Sequence, residues 1–163
     1  MEILATLDVG PDRVVVRHAR VSDVPAIVDL LAADQLGATR DGIGGAGDLA
    51  AYQAAFEAID RDPAHLLIVA QSGPDVVATM QLSFLPGLAR RGALRAQIEA
   101  VRVRADFRDR GLGAALFGWA IAEARRRDCA LVQLTTDKSR GSAHRFYERL
   151  GFTASHEGMK LHL

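Results

Sequence analysis

The chain has 163 residues, with 20 basic side chains balancing 20 acidic ones. That length suits one domain, read as spanning residues 1–163, with a core that needs no staples. The balanced charge argues against a surface built for nucleic acid or an anionic membrane. With one cysteine no internal disulfide forms, and no basic leader or membrane-length apolar run is visible, so a cytoplasmic location is expected.

In chain order, Val14 to Ala19 reads as a strand. Ser22-Asp23 with Pro25 then opens a helix whose apolar positions Val24, Ile27, Val28 and Leu31 follow the helical period to about Leu36. Gly37 to Gly47 is glycine-dense and reads as a mobile loop. Asp48 is placed to cap a second helix carrying Tyr52, Phe56 and Ile59, which closes near Asp62-Pro63. Leu66 to Ala70 and Val76 to Leu85 form a hairpin across the Ser72 to Asp75 turn, and Ala93 to Val103 adds another strand. A helix from Gly111 to about Arg127 leads to a strand at Leu131 to Thr135, expected to lie parallel to its predecessor. A last helix, Ser142 to Leu150, stops at Gly151, and Phe152 to Ser155 with Gly158 to Leu163 read as a closing pair of strands. The fold class is therefore α/β: a mixed antiparallel and parallel central sheet of about six or seven strands with helices on both faces.

The stretch from Arg108 through Asp109, Arg110, Gly111, Leu112, Gly113 and Ala114 carries the chemistry. A glycine turn opening a helix presents unpaired N–H groups at the positive end of the helix dipole, a cradle for phosphate or pyrophosphate. Arginines 102, 104, 108 and 110 face only Asp106 and Asp109 nearby, which makes a small basic site in a neutral protein. The spacing is neither a P-loop nor a dinucleotide fingerprint, and glycine for steric reasons alone is the plainer reading of such a turn.

A second signature, Ala143-His144-Arg145-Phe146-Tyr147-Glu148-Arg149-Leu150-Gly151-Phe152, stands in register behind the first. Together they resemble the GCN5-related N-acetyltransferase (GNAT) family: Arg108, Gly111 and Gly113 fit its Q/R-x-x-G-x-G/A loop, and the later run fits A-x-x-F-Y-x-x-x-G-F. The resemblance is strong from Ala93 to Phe152. It implies acetyl-CoA as donor, with the backbone of Val101, Arg102 and Val103 along the pantetheine arm, Arg108 to Ala114 on the pyrophosphate, and Tyr147 near the thioester sulfur. Tyr147 also belongs to a helical apolar stripe and fits a core role. Where many members carry asparagine this chain has Arg140, assigned to cofactor or acceptor. The implied partner is a small-molecule amine, with a homodimer as the family's common assembly.

Acyl transfer needs a free amine, and presenting a lysine-like amine unprotonated at neutral pH costs about 4.6 kcal/mol. Glu99, in a strand otherwise suited to burial and often glutamate in the family, is the candidate base, acting directly or through water. Alternation groups it with Gln97 and Val101, and an edge charge paired with Arg95 or Arg102 is the competing role. His65 and His144 are weaker candidates, and Cys129 is read as structural rather than acyl-carrying. Arg90 and Arg91 either meet an anionic acceptor or are solvated. No metal-ligand cluster is present in the sequence. The rival functions are a protein N-terminal or lysine acetyltransferase and a non-catalytic acyl-CoA sensor.

Overall fold

The computed structural model describes residues 3–33 and 38–163, which cluster into two compact units, Met1–Gln133 and Leu134–Leu163. A six-stranded sheet runs in the order β1 (Ile3–Val9), β2 (Asp12–His18), β3 (His65–Ser72), β4 (Asp75–Leu85), β5 (Arg95–Val103) and β6 (Leu131–Leu134). The first five strands pair antiparallel, each with its sequence neighbour. Beside β5, the Ala130 N–H donates to the Leu94 carbonyl at 2.8 Å, and the Gln133 amide donates to Gln97 Oε1 at 2.8 Å. Both strands advance three residues between those contacts, so β6 runs parallel to β5, as a crossover through a helix requires.

Opposed residues in antiparallel strands share a face, so the register sorts the sheet. Leu66, Ile68, Met80, Leu82, Phe84, Ala96 and Ile98 lie on one side; Leu67, Val69, Thr79, Gln81, Ser83, Gln97 and Glu99 lie on the other. Helices α1 (Val24–Ala32) and α2 (Ala46–Arg61) cover the second side, where Val24, Ile27, Val28 and Phe56 bury against Val69. Each such side chain contributes roughly 1.5–3 kcal/mol by leaving water. Beyond the short α3 (Ala89–Gly92), α4 (Leu112–Arg126) buries Leu112, Leu116, Phe117, Ala120 and Ala124. Just past its end the Arg127 guanidinium lies 4.0 Å from the Phe84 ring centre, on the first side. Helices thus cover both faces.

At the entry to α1, Arg17 and Asp23 form a buried pair, with Nη1 to Oδ2 at 2.7 Å and Nη2 to Oδ1 at 2.9 Å. Arg17 Nε also donates to Gln71, and the Arg20 N–H donates to Asp23 Oδ2 at 2.7 Å. Burial pushes the Asp23 carboxyl up, but the bonds from Arg17 and Arg20 and their positive charges outweigh it and hold the group below its ordinary value.

Several expectations are corrected. The strand β1 was not anticipated: it is an edge strand with only Val9 buried, so it lacks a burial-driven pattern. The described part of α1 ends at Ala32, and the expected end near Leu36 lies outside the described residues. The second helix starts at Ala46, inside the expected loop, with Gly45 at the cap position. Asp48 acts from within the first turn, accepting from the Gly44 N–H at 2.9 Å. The described part of that loop is tethered, since the Gly42 N–H donates to the Tyr52 hydroxyl, which donates to Asp41. β5 begins at Arg95 rather than Ala93, with two residues between it and the short α3 at Ala89–Gly92, in which Arg90 and Arg91 take left-handed conformations.

The second unit carries α5 (Gly141–Arg149). Residues 152–163 form no strands there. Met159, Leu161 and Leu163 keep the period of a strand, yet all three are exposed. Local bonds hold this stretch instead of a ladder, including the Ser155 N–H to the Thr153 carbonyl and Lys138 to Glu157. Alternation marks which side of a strand is apolar; it supplies no partner.

Candidate active site

In β5 the register with β4 slips by one residue, from Glu99 opposite Gln81 to Arg102 opposite Thr79. This is a β-bulge, and Ala100 within it has a φ of 52°. The slip reverses the alternation beyond Glu99. Arg102, rather than Val101, falls on the side of Gln97 and Glu99, while Val103 falls on the side of Ile98. Glu99 is exposed, and the Gln97 amide donates to its Oε1 at 2.8 Å. Gln97 in turn accepts from Gln133 on β6, which gives a chain from Gln133 through Gln97 to Glu99. Strand alternation groups Gln97 with Glu99 but does not reach Gln133, whose one signal in the sequence is an amide inside the short apolar run Leu131-Val132-Gln133-Leu134.

The strand runs into the glycine turn. After a 3₁₀ turn at Ala105–Phe107, Asp109 has a φ of 56° and Gly111 a φ of 90°. Gly111 occupies the cap position of α4 in the left-handed region, where a side chain costs about 1–2 kcal/mol. The Ala115 N–H donates to the Gly111 carbonyl at 3.0 Å, so those of Leu112, Gly113 and Ala114 precede the helical ladder. The Leu112 side chain is buried in the core, leaving its backbone as the part available to a ligand.

The arginines around the turn have distinct partners. Arg108 Nε donates to the Val103 carbonyl at 3.0 Å, and an Arg102 nitrogen donates to the Val101 carbonyl at 2.8 Å. Arg110 pairs with Asp12 at the start of β2 and lies 4.8 Å from the Phe107 ring centre. Arg104 grips Asp106 through two nitrogens and reaches Asp75 at 3.2 Å. Its hydrogen bonds hold the Asp106 carboxyl below the ordinary range. Asp12 and Phe107, both outside the sequence reading, thus tie Arg110 to the first hairpin.

In the second unit, Tyr147 is half-buried on α5. Its ring meets Phe146 edge-on at 5.4 Å and Phe152 at 6.1 Å. Gly151, with a φ of 90°, turns the chain so that the Phe152 N–H donates to the Tyr147 carbonyl at 3.0 Å. Arg140 is the cap residue of α5, with its carbonyl receiving the N–H groups of Ala143 and His144. Before it, Asp137 accepts from both the hydroxyl and the N–H of Ser139, which hold its carboxyl low.

The competing groups are engaged elsewhere. His65 Nδ1 is 2.8 Å from Ser83 Oγ, and its Nε2 is 3.8 Å from Asp62. His144 Nε2 is 3.1 Å from the Asp137 carbonyl. Burial pushes the Cys129 thiol up, away from the thiolate a nucleophile needs. Arg90 and Arg91 are exposed. Among the described residues, no group of three or more His, Cys, Asp or Glu converges as metal ligands, and no helix is long and apolar enough to cross a membrane.

Residues 29–152 match the Acetyltransferase (GNAT) family. A solved structure described as a transcriptional regulator from Bacillus halodurans C-125 is 44% identical and superposes with a TM-score of 0.87 over 92% of this chain and 99% of that one. An acetyltransferase of Trypanosoma brucei is 26% identical, with a TM-score of 0.73 over 92% of this chain and 99% of that one. The aminoalkylphosphonate N-acetyltransferase of Salmonella typhimurium is 38% identical over 60 residues, which are 37% of this chain and span 39% of that relative's length.

Proposed function

The chain belongs to the acetyltransferase (GNAT) family, and from that membership we propose that it moves the acetyl group of acetyl-CoA to a primary amine of a small molecule. The amine nitrogen attacks the thioester carbonyl, a C–N bond forms and the C–S bond breaks. Glu99 takes the amine proton, directly or through water, and the Tyr147 hydroxyl protonates the departing thiolate. A backbone N–H near the end of β5 faces the developing oxyanion.

The observation that carries this reading is the run from the bulged strand into an open helix N-terminus within the first unit. The bulge interrupts the ladder beside Glu99, and the free N–H groups of Leu112, Gly113 and Ala114 stand at the positive end of a 15-residue helix. Both are what an acyl carrier with a pyrophosphate needs. Arg108, anchored to the Val103 carbonyl, supplies charge at that end, and Val101 to Val103 offers backbone for the pantetheine amides. Arg140 is assigned to the donor or the acceptor on resemblance alone.

The acceptor is proposed to carry an anionic group. The Salmonella relative's name specifies aminoalkylphosphonates, and Arg95 lies on the sheet face that holds Gln97 and Glu99. The test is thiol release from acetyl-CoA across a panel of amines that includes 2-aminoethylphosphonate and ethylamine. Turnover with the phosphonate well above that with ethylamine is expected; equal rates sink the anionic acceptor.

A second reading, an acyl-CoA sensor without chemistry, is favoured by the 44%-identical structure described as a transcriptional regulator. Tight acetyl-CoA binding with no thiol release across the whole panel selects it.

Gly111→Ala separates donor binding from acceptor binding. No atom stands within 4 Å of the added Cβ, so its cost is the left-handed backbone alone, about 1–2 kcal/mol. Thermal unfolding is expected to fall by a few degrees. Calorimetric titration with coenzyme A is expected to show weaker binding, while the KM for the amine holds.

A further inference from the structure

Glutamine side chains in sheets usually point to solvent and bond to water, and here two of them bond to each other. The Gln133 amide nitrogen donates to Gln97 Oε1 at 2.8 Å, and the Gln97 amide nitrogen donates to Glu99 Oε1 at 2.8 Å. An amide presents an acceptor on one side and donors on the other, so binding its oxygen to Gln133 commits its NH₂ to Glu99. The carboxylate is thereby held by one oxygen and leaves the other to an incoming proton. Gln133 and Gln97 are half-buried on adjacent parallel strands, whereas Glu99 is exposed at the edge of the bulge. The exposed member is the carboxylate, and the chain reaches it from the half-buried side.

We propose that Gln97 and Gln133 are positioning residues that orient the Glu99 carboxylate through this directional amide chain. The proposal rests on the reading of Glu99 as the base. Gln97→Met keeps the shape of the side chain and removes the donor. Gln133→Met keeps Gln97 and removes what fixes the direction of its amide. Turnover with acetyl-CoA and 2-aminoethylphosphonate is expected to fall about tenfold in Gln97→Met, the lower end for a hydrogen bond to a charged group. A smaller fall is expected in Gln133→Met, and the KM for acetyl-CoA is unchanged in both.

The decisive reading is a double-mutant cycle, because a residue acting only through Glu99 has nothing left to do once Glu99 is gone. In the Glu99→Gln background, adding Gln97→Met is expected to leave the residual rate unchanged; a further tenfold loss overturns the proposal. An arm that needs no acceptor uses the ¹⁵N side-chain order parameter of Gln97. It is expected to drop in Gln133→Met at unchanged thermal stability, and an unchanged value overturns the chain. If Glu99→Gln itself turns over like the wild type, the base reading fails and the positioning role fails with it. The order parameter then still reports whether the amide chain exists.

Discussion

Replacing Asp23 by alanine is expected to remove about 3–5 kcal/mol of stability, the usual cost of leaving one member of a buried ion pair uncompensated. Arg17 and Asp23 are 6% and 8% exposed, so the guanidinium left behind has little water to turn to. The substitution also strips the acceptor of the Arg20 N–H at the entry to α1. For a chain of this length the unfolding midpoint is expected to drop by roughly 10 °C, measured by calorimetry. Replacing both, as Arg17→Met with Asp23→Leu, is expected to recover most of the loss, because the expensive species is the lone buried charge. The pair also has a pH signature. Asp23 is held below its ordinary value in the folded state, so its contribution is present above the unfolded carboxylate range near 3.9 and is lost as pH falls through the folded value. The acid limb of stability is therefore expected to be shallower in Asp23→Ala than in the wild type. An unchanged limb assigns that slope to other carboxylates.

The elements with strong burial were legible in the sequence. Helix α1, with Val24, Ile27 and Val28 at helical spacing, and the β3–β4 hairpin around Gly73 follow from periodicity and turn chemistry, because tertiary packing reinforces both. β1 escaped because an edge strand buries one face weakly and Ile3 is half exposed. The closing strands were overread for the opposite reason. Met159, Leu161 and Leu163 alternate cleanly, but a ladder is a property of two segments, and the pattern describes only one.

At the site, residue types were visible and directions were not. Glycine at 111 marks the turn that opens the helix, but its left-handed φ of 90° and its place as the cap before Leu112 come from the structure. The bulge was hidden because Ala100 carries no mark of a positive φ, and a single extra residue moves Arg102 onto the side expected for Val101. Arg110 is expected on the pyrophosphate from the charge it adds to the glycine turn and from the resemblance. Its pairing with Asp12 arises from a hairpin nearly a hundred positions away, a separation no local pattern reports.

Glu99→Gln and Tyr147→Phe are expected to cost turnover about 10²–10⁴-fold each, the range for a positioned general base or acid, and their pH profiles are expected to part. Without the base, the amine must lose its proton to solvent. The rate of Glu99→Gln is then expected to rise tenfold per pH unit toward the amine's own pKa, because the free-base fraction does so. At high pH the variant should approach the wild type. Tyr147→Phe lacks the leaving-group acid, and raising the pH supplies more free amine without protonating the thiolate, so no such recovery is expected. A donor with a better thiol leaving group is the matching rescue: it should restore Tyr147→Phe and leave Glu99→Gln slow. Turnover intact in Glu99→Gln with Tyr147→Phe inactive rejects the glutamate as base and keeps the tyrosine as acid. The reverse result returns Tyr147 to a packing role between Phe146 and Phe152.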